Sequence, residues 1–529
     1  MSVIVNYNNW IIISPDDPSY EEVKEHLIIK EREVIQKREY DPNLGRTVKK
    51  STSRKVTKYL YEVKQDHVYI PYGLFPYIKH LFKNSKLDYR SDFSSPLYNV
   101  QDVLDNIEDY RDILPGISLY DNQLKALCAI FQKKRGVIQA STGFGKTELM
   151  CATAQIMKQI NNDKYPTTLV LEPTIELLNG IKKRFKKYKI PINDYRETRT
   201  IMTNKVNLAH PTSLVNDLKM NKKLLNKVEV QFFDEVHHSQ SLTWSEPSHH
   251  MPILKYSIGL SATFISHYNV NGQTIFDFNY DELKRIGTCG PIILKIEGKE
   301  LIKNEQLAKP KLIIIGNDAN EEIDETKIDY TWHNVRKIRL QSETRTKLIA
   351  EAASMFAKYD RKVIILMNAL DWGRNIMLEI ANLGYRKIVR TCFGGQTYEK
   401  VNKKGKIEKD FNSALTLFDK EKVKIIVGSS CIQEGIDLSK VDVCILAQGG
   451  ISDRTTLQSV GRALRKSKTG IYAYLVDFDD KEDRILSNQY RERMIKYQKV
   501  LGIEKKDILK NATIQKLEQQ FREWENIYD

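Results

Sequence analysis

The sequence predicts an α/β chain: two lobes built on parallel sheets, a small α+β domain ahead of them and a helical segment after them. Three observations predict it. From about residue 115, short apolar runs ending in polar or small residues alternate with helical segments. A second series of the same kind follows a mixed stretch. One run–loop–helix junction carries a glycine-rich pattern suited to phosphate.

Residues 1–100 are rich in Tyr, Lys and Arg. "VIVNYNNWIIIS" and "KYLYEVKQDHVYIP" read as strands, and "YGLFPYIKHLFK" has helical spacing. Between them, "DPNLGRTVKKSTSRKVTK" (41–58) is basic, polar and turn-forming. It reads as a loop, either solvated or laid as a finger on phosphates through Arg46, Lys49, Lys50, Arg54, Lys55 and Lys58. The first lobe, 115–305, holds the runs "RGVIQA", "TTLVLEP", "EVQFFDE" and "YSIGLSAT". Residues 306–335 read as an inter-lobe passage. The second lobe, 336–480, holds "RKVIILMN", "YRKIVRTC", "VKIIVGSS", "VDVCILAQ" and "IYAYLVDF". From 481 to 529 the chain is charged and reads as helix. In parallel sheets ligands bind beyond the carboxyl ends of strands, so the polar ends of these runs should gather in a crevice.

Bulk numbers narrow the class. A chain of 529 residues exceeds one core. No apolar run is long enough to span a bilayer, and no signal peptide is read at the start. The six cysteines form no CxxC pair, which points away from a zinc ribbon or disulfide framework and towards a reducing cytoplasm. Lys plus Arg number 83 against 68 Asp plus Glu, an excess of 15 that favours a polyanionic partner.

The phosphate pattern is "ASTGFGKTE", 140–148, with Ala140 where the P-loop frame has its first Gly. It follows the strand "GVIQ" and opens the helix "TELMCATAQIMK". Within it, Thr142, Gly143 and Gly145 would wrap phosphate oxygens, Lys146 would reach the β- and γ-phosphates of ATP, and Thr147 would ligate Mg²⁺. "VEVQFFDEVHH" then offers Asp234 for the Mg²⁺ shell and Glu235 to orient or deprotonate the attacking water. A zinc reading competes through His237, His238, His249 and His250. Adjacent histidines point apart, however, and paired helical zinc ligands need i, i+4 spacing.

Lys146, "DEVH" at 234–237, "SAT" at 261–263 and "QSVGRALR" at 458–465 resemble, in order, the motifs of superfamily 2 helicases and translocases. The resemblance implies two RecA-like lobes and an ATP-driven motor. It implies that Gln123 reads adenine, and that His237, Gly435, Asp437 and Gln458 belong to the nucleotide site. By the same resemblance Arg462 and Arg465 are arginine fingers, and Ser261 and Thr263 couple nucleotide to strand. Pro173, Thr174, Thr212, Asn368, Gly394, Gly395 and Ser429 would approach nucleic acid. An arginine supplied to the γ-phosphate is worth ~10³–10⁵ in rate.

"DEVH" departs from the DEAD of RNA helicases, and motif VI begins with Gln458 where that group usually has His. "VYIPYGLFPYIKHLF" (68–82) and "LQSVGRALRKSKTG" (457–470) look like the phage UvsW-type recombination helicases. That likeness implies work on branched DNA in recombination, repair or replication, with the N-terminal domain on duplex DNA. It also implies single-strand-binding or recombination proteins as candidate partners, a monomer and a cytoplasmic site. RNA remodelling and a restriction-type duplex translocase are the alternatives.

Overall fold

The computed structural model describes residues 3–7, 9–41, 46–89, 100–264, 277–316, 339–393, 397–429, 441–448, 472–479 and 484–527. They fall into two compact units. Among the described residues no helix is long and apolar enough to cross a membrane.

In the first unit the N-terminal region supplies β1 (Val3–Tyr7), β2 (Trp10–Ile13), β3 (Ile28–Asp41), β4 (Arg46–Tyr59), β5 (Glu62–Lys64), β6 (His67–Pro71) and β7 (Leu87–Tyr89). Five of these form one sheet in the order β5-β6-β2-β1-β7, while β3 and β4 pair, among the described residues, only with each other. The basic stretch 41–58 is therefore not a loop: 46–58 lies in β4, one arm of a hairpin whose strands are 14 residues each. Polar residues on both faces hid the alternation by which a strand is normally read.

The N-terminal sheet is not independent. Val3, Ile11, Val68, Leu74 and Ile78 share one apolar core with Val137, Phe233, Leu283 and Ile286 of the first lobe. Asn9 donates to the Ser248 carbonyl at 3.0 Å, and the Trp10 ring stacks on His249 at 3.9 Å. Arg135 donates to the Asn9 side chain and lies 5.0 Å from the Tyr72 ring centre. Burial pulls its guanidinium pKa down to about 10.

The first lobe's sheet has β8 (Arg135–Ala140), β9 (Thr168–Leu171), β10 (Ile192–Asp194), β11 (Val206–Ala209), β12 (Val230–Asp234), β13 (Tyr256–Ser261) and β14 (Ile292–Ile296). Their order is β10-β11-β9-β12-β13-β8-β14, and the pairs from β10 to β8 are all parallel. β9, β11, β12 and β13 are buried end to end, which is why their sequences run largely apolar instead of alternating.

The second unit holds β15 (Lys309–Gly316), β16 (Val363–Leu366), β17 (Val389–Phe393), β18 (Thr397–Val401), β19 (Ile407–Lys409), β20 (Ile425–Gly428), β21 (Val443–Leu446), β22 (Tyr472–Asp479) and β23 (Ile508–Ala512). The order is β19-β18-β17-β20-β16-β21-β22-β15-β23. From β17 to β23 the pairs are parallel, and β18 and β19 add an antiparallel edge. Two boundaries change. Lys309–Gly316, read as part of the passage, pairs along its whole length with β22. The C-terminal segment is helical at Arg484–Leu501 and Ile514–Trp524, yet it contributes edge strand β23 between them.

That segment braces the second sheet. Arg493 donates to Asp477 at 2.8 Å and Tyr497 to the same carboxylate at 2.8 Å, all three wholly buried. Arg361 pairs with Glu525 at 2.6 Å, and Leu517 and Phe521 enter the lobe's core.

Candidate nucleotide and nucleic-acid site

The P-loop grows out of β8. Phe144 turns back on Ser141, its N–H donating to that carbonyl at 3.2 Å, and the helix Lys146–Ile160 starts at once. Gly143 and Gly145 sit at φ of 92° and 89°, in the region that favours glycine. A Cβ on Gly143 would come within 2.5 Å of the Leu307 side chain. Residues 141–145 thus form a tight cradle at a helix N-terminus, which fits the polyphosphate of a nucleotide. Thr142, Lys146 and Thr147 are partly exposed around it. Leu149, Met150, Ala152, Ala154 and Ile156 bury the helix that follows.

Along the same sheet, β12 ends in Asp234, which is 5% exposed. The chain then turns sharply: Glu235 takes φ 48° and ψ 50°, left-handed for a residue with a Cβ. Its N–H donates to Asp234 Oδ1 at 3.0 Å. The turn brings His237 back over β13, where its Nδ1 lies 3.0 Å from Ser261 Oγ and 3.3 Å from Glu235 Oε2. Ser261 Oγ in turn donates to the Thr263 carbonyl at 3.1 Å and accepts from the Thr263 N–H at 3.1 Å. A hydrogen-bonded chain thus joins His237 to Ser261 and Thr263, with Glu235 Oε2 at ion-pair distance from the His237 ring. Among the described residues no cluster of three His, Cys, Asp or Glu could hold a metal. The His250 ring binds Glu246 at 3.0 Å instead.

Gln123 is buried at the start of the helix Asp121–Lys133, and its side-chain carbonyl accepts from the Tyr120 N–H at 3.0 Å. That bond caps the helix and fixes the amide's orientation. Thr174 does comparable work: its hydroxyl accepts from Leu177 N–H at 3.2 Å and caps the helix Ile175–Lys187. Thr212 is exposed in the first turn of the helix Pro211–Met220. Sequence reasoning missed His210. Its Nε2 lies 3.0 Å from the Pro173 carbonyl and joins the two predicted strand-contact segments. The signal was an N-cap histidine ahead of a proline at the first helical position.

In the second unit Asn368 is exposed just past β16, and Ser429 follows β20, its N–H donating to the Cys392 carbonyl at 3.3 Å. β16 and β20 are neighbours, with Leu366 opposite Gly428. Gly394, Gly395, Gly435, Asp437, Gln458, Arg462 and Arg465 lie outside the described residues.

Residues 101–266 match the family described as type III restriction enzyme, res subunit, and residues 386–467 match the helicase conserved C-terminal domain. A DNA 3'-5' translocase XPB2 from Sulfurisphaera tokodaii is 27% identical over 394 residues, covering 69% of this chain and 82% of the relative. Putative helicase 22 of Sulfolobus islandicus filamentous virus is 24% identical over 370 residues, covering 65% of this chain and 60% of the viral protein. The crystal structure of T4 UvsW aligns over 94% of this chain and 97% of its own at 17% identity, with a TM-score of 0.39. With a phosphate cradle, an acid pair at the end of β12 and matches to both helicase domain families in one sequence, the chain is similar to the superfamily 2 helicases and translocases, which hydrolyse ATP.

Proposed function

We propose that the chain is an ATP-driven DNA translocase that remodels branched DNA, such as forks and four-way junctions. The observation that carries a motor reading is the relay from Glu235 through His237 to Ser261 and Thr263, which ties the acid that would face water to a neighbouring strand end. DNA as the track is supported by the likeness to the DNA 3'-5' translocase XPB2 and by the net charge of +15.

Lys146 would hold the β- and γ-phosphates of ATP, and Thr147 and Asp234 would hold Mg²⁺, which neutralises phosphate charge when bound. Glu235 would orient the attacking water and take its proton. Gln123, Thr142, Gly143 and Gly145 complete the nucleotide contacts. Gly435, Asp437 and Gln458 join them, and Arg462 and Arg465 supply positive charge to the γ-phosphate. Ser261 and Thr263 transmit the state of the Glu235 turn. Pro173, Thr174, Thr212, Asn368, Gly394, Gly395 and Ser429 would track the DNA backbone, with helix N-termini as the phosphate donors.

The test is an ATPase and unwinding assay with single-stranded, duplex, forked and four-way DNA beside RNA at stated salt. Branched DNA should stimulate hydrolysis most. Lys146→Ala and Glu235→Gln should each abolish unwinding. Brisk unwinding by the Lys146→Ala protein overturns the motor, and stimulation by RNA but not by DNA overturns the track.

A further inference from the structure

The edge hairpin β18–β19 of the second unit ends in a ring that the fold leaves in the open. Phe411, just past β19, is 89% exposed, more than any other aromatic side chain among the described residues. Its backbone is nevertheless fixed on both sides. Asp410, 3% exposed, accepts from Arg390 Nε at 2.7 Å and from the Asn412 N–H at 3.1 Å, and its own N–H donates to the Tyr398 carbonyl at 2.8 Å. Ser413 caps the helix Ala414–Asp419 by accepting from the Thr416 N–H at 3.3 Å, and Ala414 is buried. A single exposed apolar residue needs no explanation by itself. The position of this one and its neighbours give it one.

β18 is antiparallel to both β17 and β19, so β19 ends at the same edge of the sheet as β17 and β20. The register sets the level. Lys409 stands opposite Glu399, Glu399 opposite Thr391, and Thr391 opposite Val427. Phe411 and Ser429 each lie two residues past that rung. The order β19-β18-β17-β20 puts three strand spacings between them, about 14 Å. That spans about four nucleotides at the ~3.4 Å rise of one strand. The ring therefore stands on the carboxyl-end rim where Asn368 and Ser429 would meet the DNA backbone.

The charge beside the ring is positive. Lys409 Nζ lies 5.7 Å from its centre. The hairpin's acids are engaged elsewhere: Glu399 with Arg374 at 2.8 Å, Glu408 with Lys400 at 3.4 Å and Asp410 with Arg390 at 2.7 Å. Lys409 is exposed and joins no ion pair among the described residues. A cation beside an open ring matches one nucleotide, with its phosphate on the ammonium and its base on the ring. Inside a duplex both faces of a base are covered by its neighbours, so a ring finds a free face only on an unpaired base. We propose that Phe411 stacks on an unpaired base of single-stranded DNA, with the Lys409 ammonium on the adjacent phosphate. This rests on the reading of the chain as a DNA motor, and adds a base contact to a set that otherwise tracks the backbone.

The experiment measures the affinity of the full chain for a single-stranded oligonucleotide and for a duplex, against salt. Phe411→Ala should weaken single-strand binding by about 5- to 100-fold, the usual worth of one stacked base, and leave duplex binding and the salt slope unchanged. Phe411→Trp should keep the wild-type affinity, whereas Phe411→Leu should lose as much as Phe411→Ala. Lys409→Gln should lower the log–log salt slope by about 0.7, one phosphate on a single strand, and Lys404→Gln, at the hairpin's far turn, should not. All five variants should melt with the wild type, since the exchanged side chains are exposed. Full single-strand affinity in Phe411→Ala or Phe411→Leu, equal losses on both DNAs, or equal slope changes in the two lysine variants overturn the assignment. So does a melting temperature well below wild type in Phe411→Ala, which makes the ring a packing group. A wild-type chain that binds no DNA overturns the motor reading and this assignment with it. DNA-stimulated ATPase in the wild type, with undiminished single-strand affinity in Phe411→Ala, overturns the assignment alone.

Discussion

Glu235 adopts a backbone conformation that costs a residue with a Cβ roughly 1–2 kcal/mol. The turn it makes lets Asp234 finish a buried strand while His237 returns to Ser261. His237→Ala should therefore leave the P-loop intact yet lower DNA-stimulated ATPase by about tenfold, the equivalent of ~1.4 kcal/mol on the barrier. Ser261→Ala should do the same. If the two side chains act as one relay, the double variant should be no slower than the worse single, and additive losses in a double-mutant cycle would refute the relay. These residue types were legible because the motifs are short and ordered. Their partners were not: the bond from Tyr120 N–H to Gln123 and the cap that Thr174 makes on Leu177 depend on where a helix begins. A motif does not state that to the residue.

Strands with apolar cores, such as β9, β12 and β16, were readable as continuous runs because they are buried on both faces. The β3–β4 hairpin was not, since polar residues follow one another along both of its strands and look like loop. The element at Tyr72–Leu74 was read as part of a helix, yet its decisive residue is Gly73. A Cβ there would stand 2.0 Å from the Ile286 carbonyl oxygen. Gly73→Ala should destabilise the first unit by about 1–3 kcal/mol, as overpacking against rigid backbone does, and urea unfolding of the variant would measure it. Asp194, at the end of β10, is bound by Arg196 at 2.7 Å and Lys182 at 3.0 Å. The Arg196 guanidinium, first among its neighbours, holds the carboxyl well below the usual range. Its contribution is thus complete above the unfolded value of about 3.9 and is lost as pH falls below that toward the folded value. Asp194→Asn should cost about 1.5–3 kcal/mol at pH 7. Its deficit relative to wild type should shrink only in strongly acidic solution, and an equal deficit at pH 7 and pH 2 would refute the pairing.

At the scale of the whole chain, an apolar core in each unit crosses the boundaries suggested by composition. The N-terminal sheet shares the first lobe's core, and the C-terminal segment shares the second's. Composition reads local segments, while a core is assembled from residues hundreds of positions apart, so this sharing was invisible in the sequence. It bears on what residues 484–527 do. A segment that only recruits a partner should be removable without loss of fold. This one supplies edge strand β23 to β15, places Leu517 and Phe521 among buried apolar neighbours, and satisfies Asp477 through Arg493 and Tyr497. Truncation at 483 would expose the long edge of β15 and leave the Asp477 carboxylate buried without its cation. Removing one partner of a buried pair costs roughly 3–5 kcal/mol, a large part of the stability a domain has to lose. The truncated chain should therefore aggregate or show rapid proteolysis confined to the second unit, with the first unit protected. Arg493→Met alone should reproduce much of the loss, and Arg493→Met with Asp477→Leu should restore most of it, because an apolar pair needs no counter-charge. A truncated chain that melts and resists protease like the full one would assign the segment to partner binding instead.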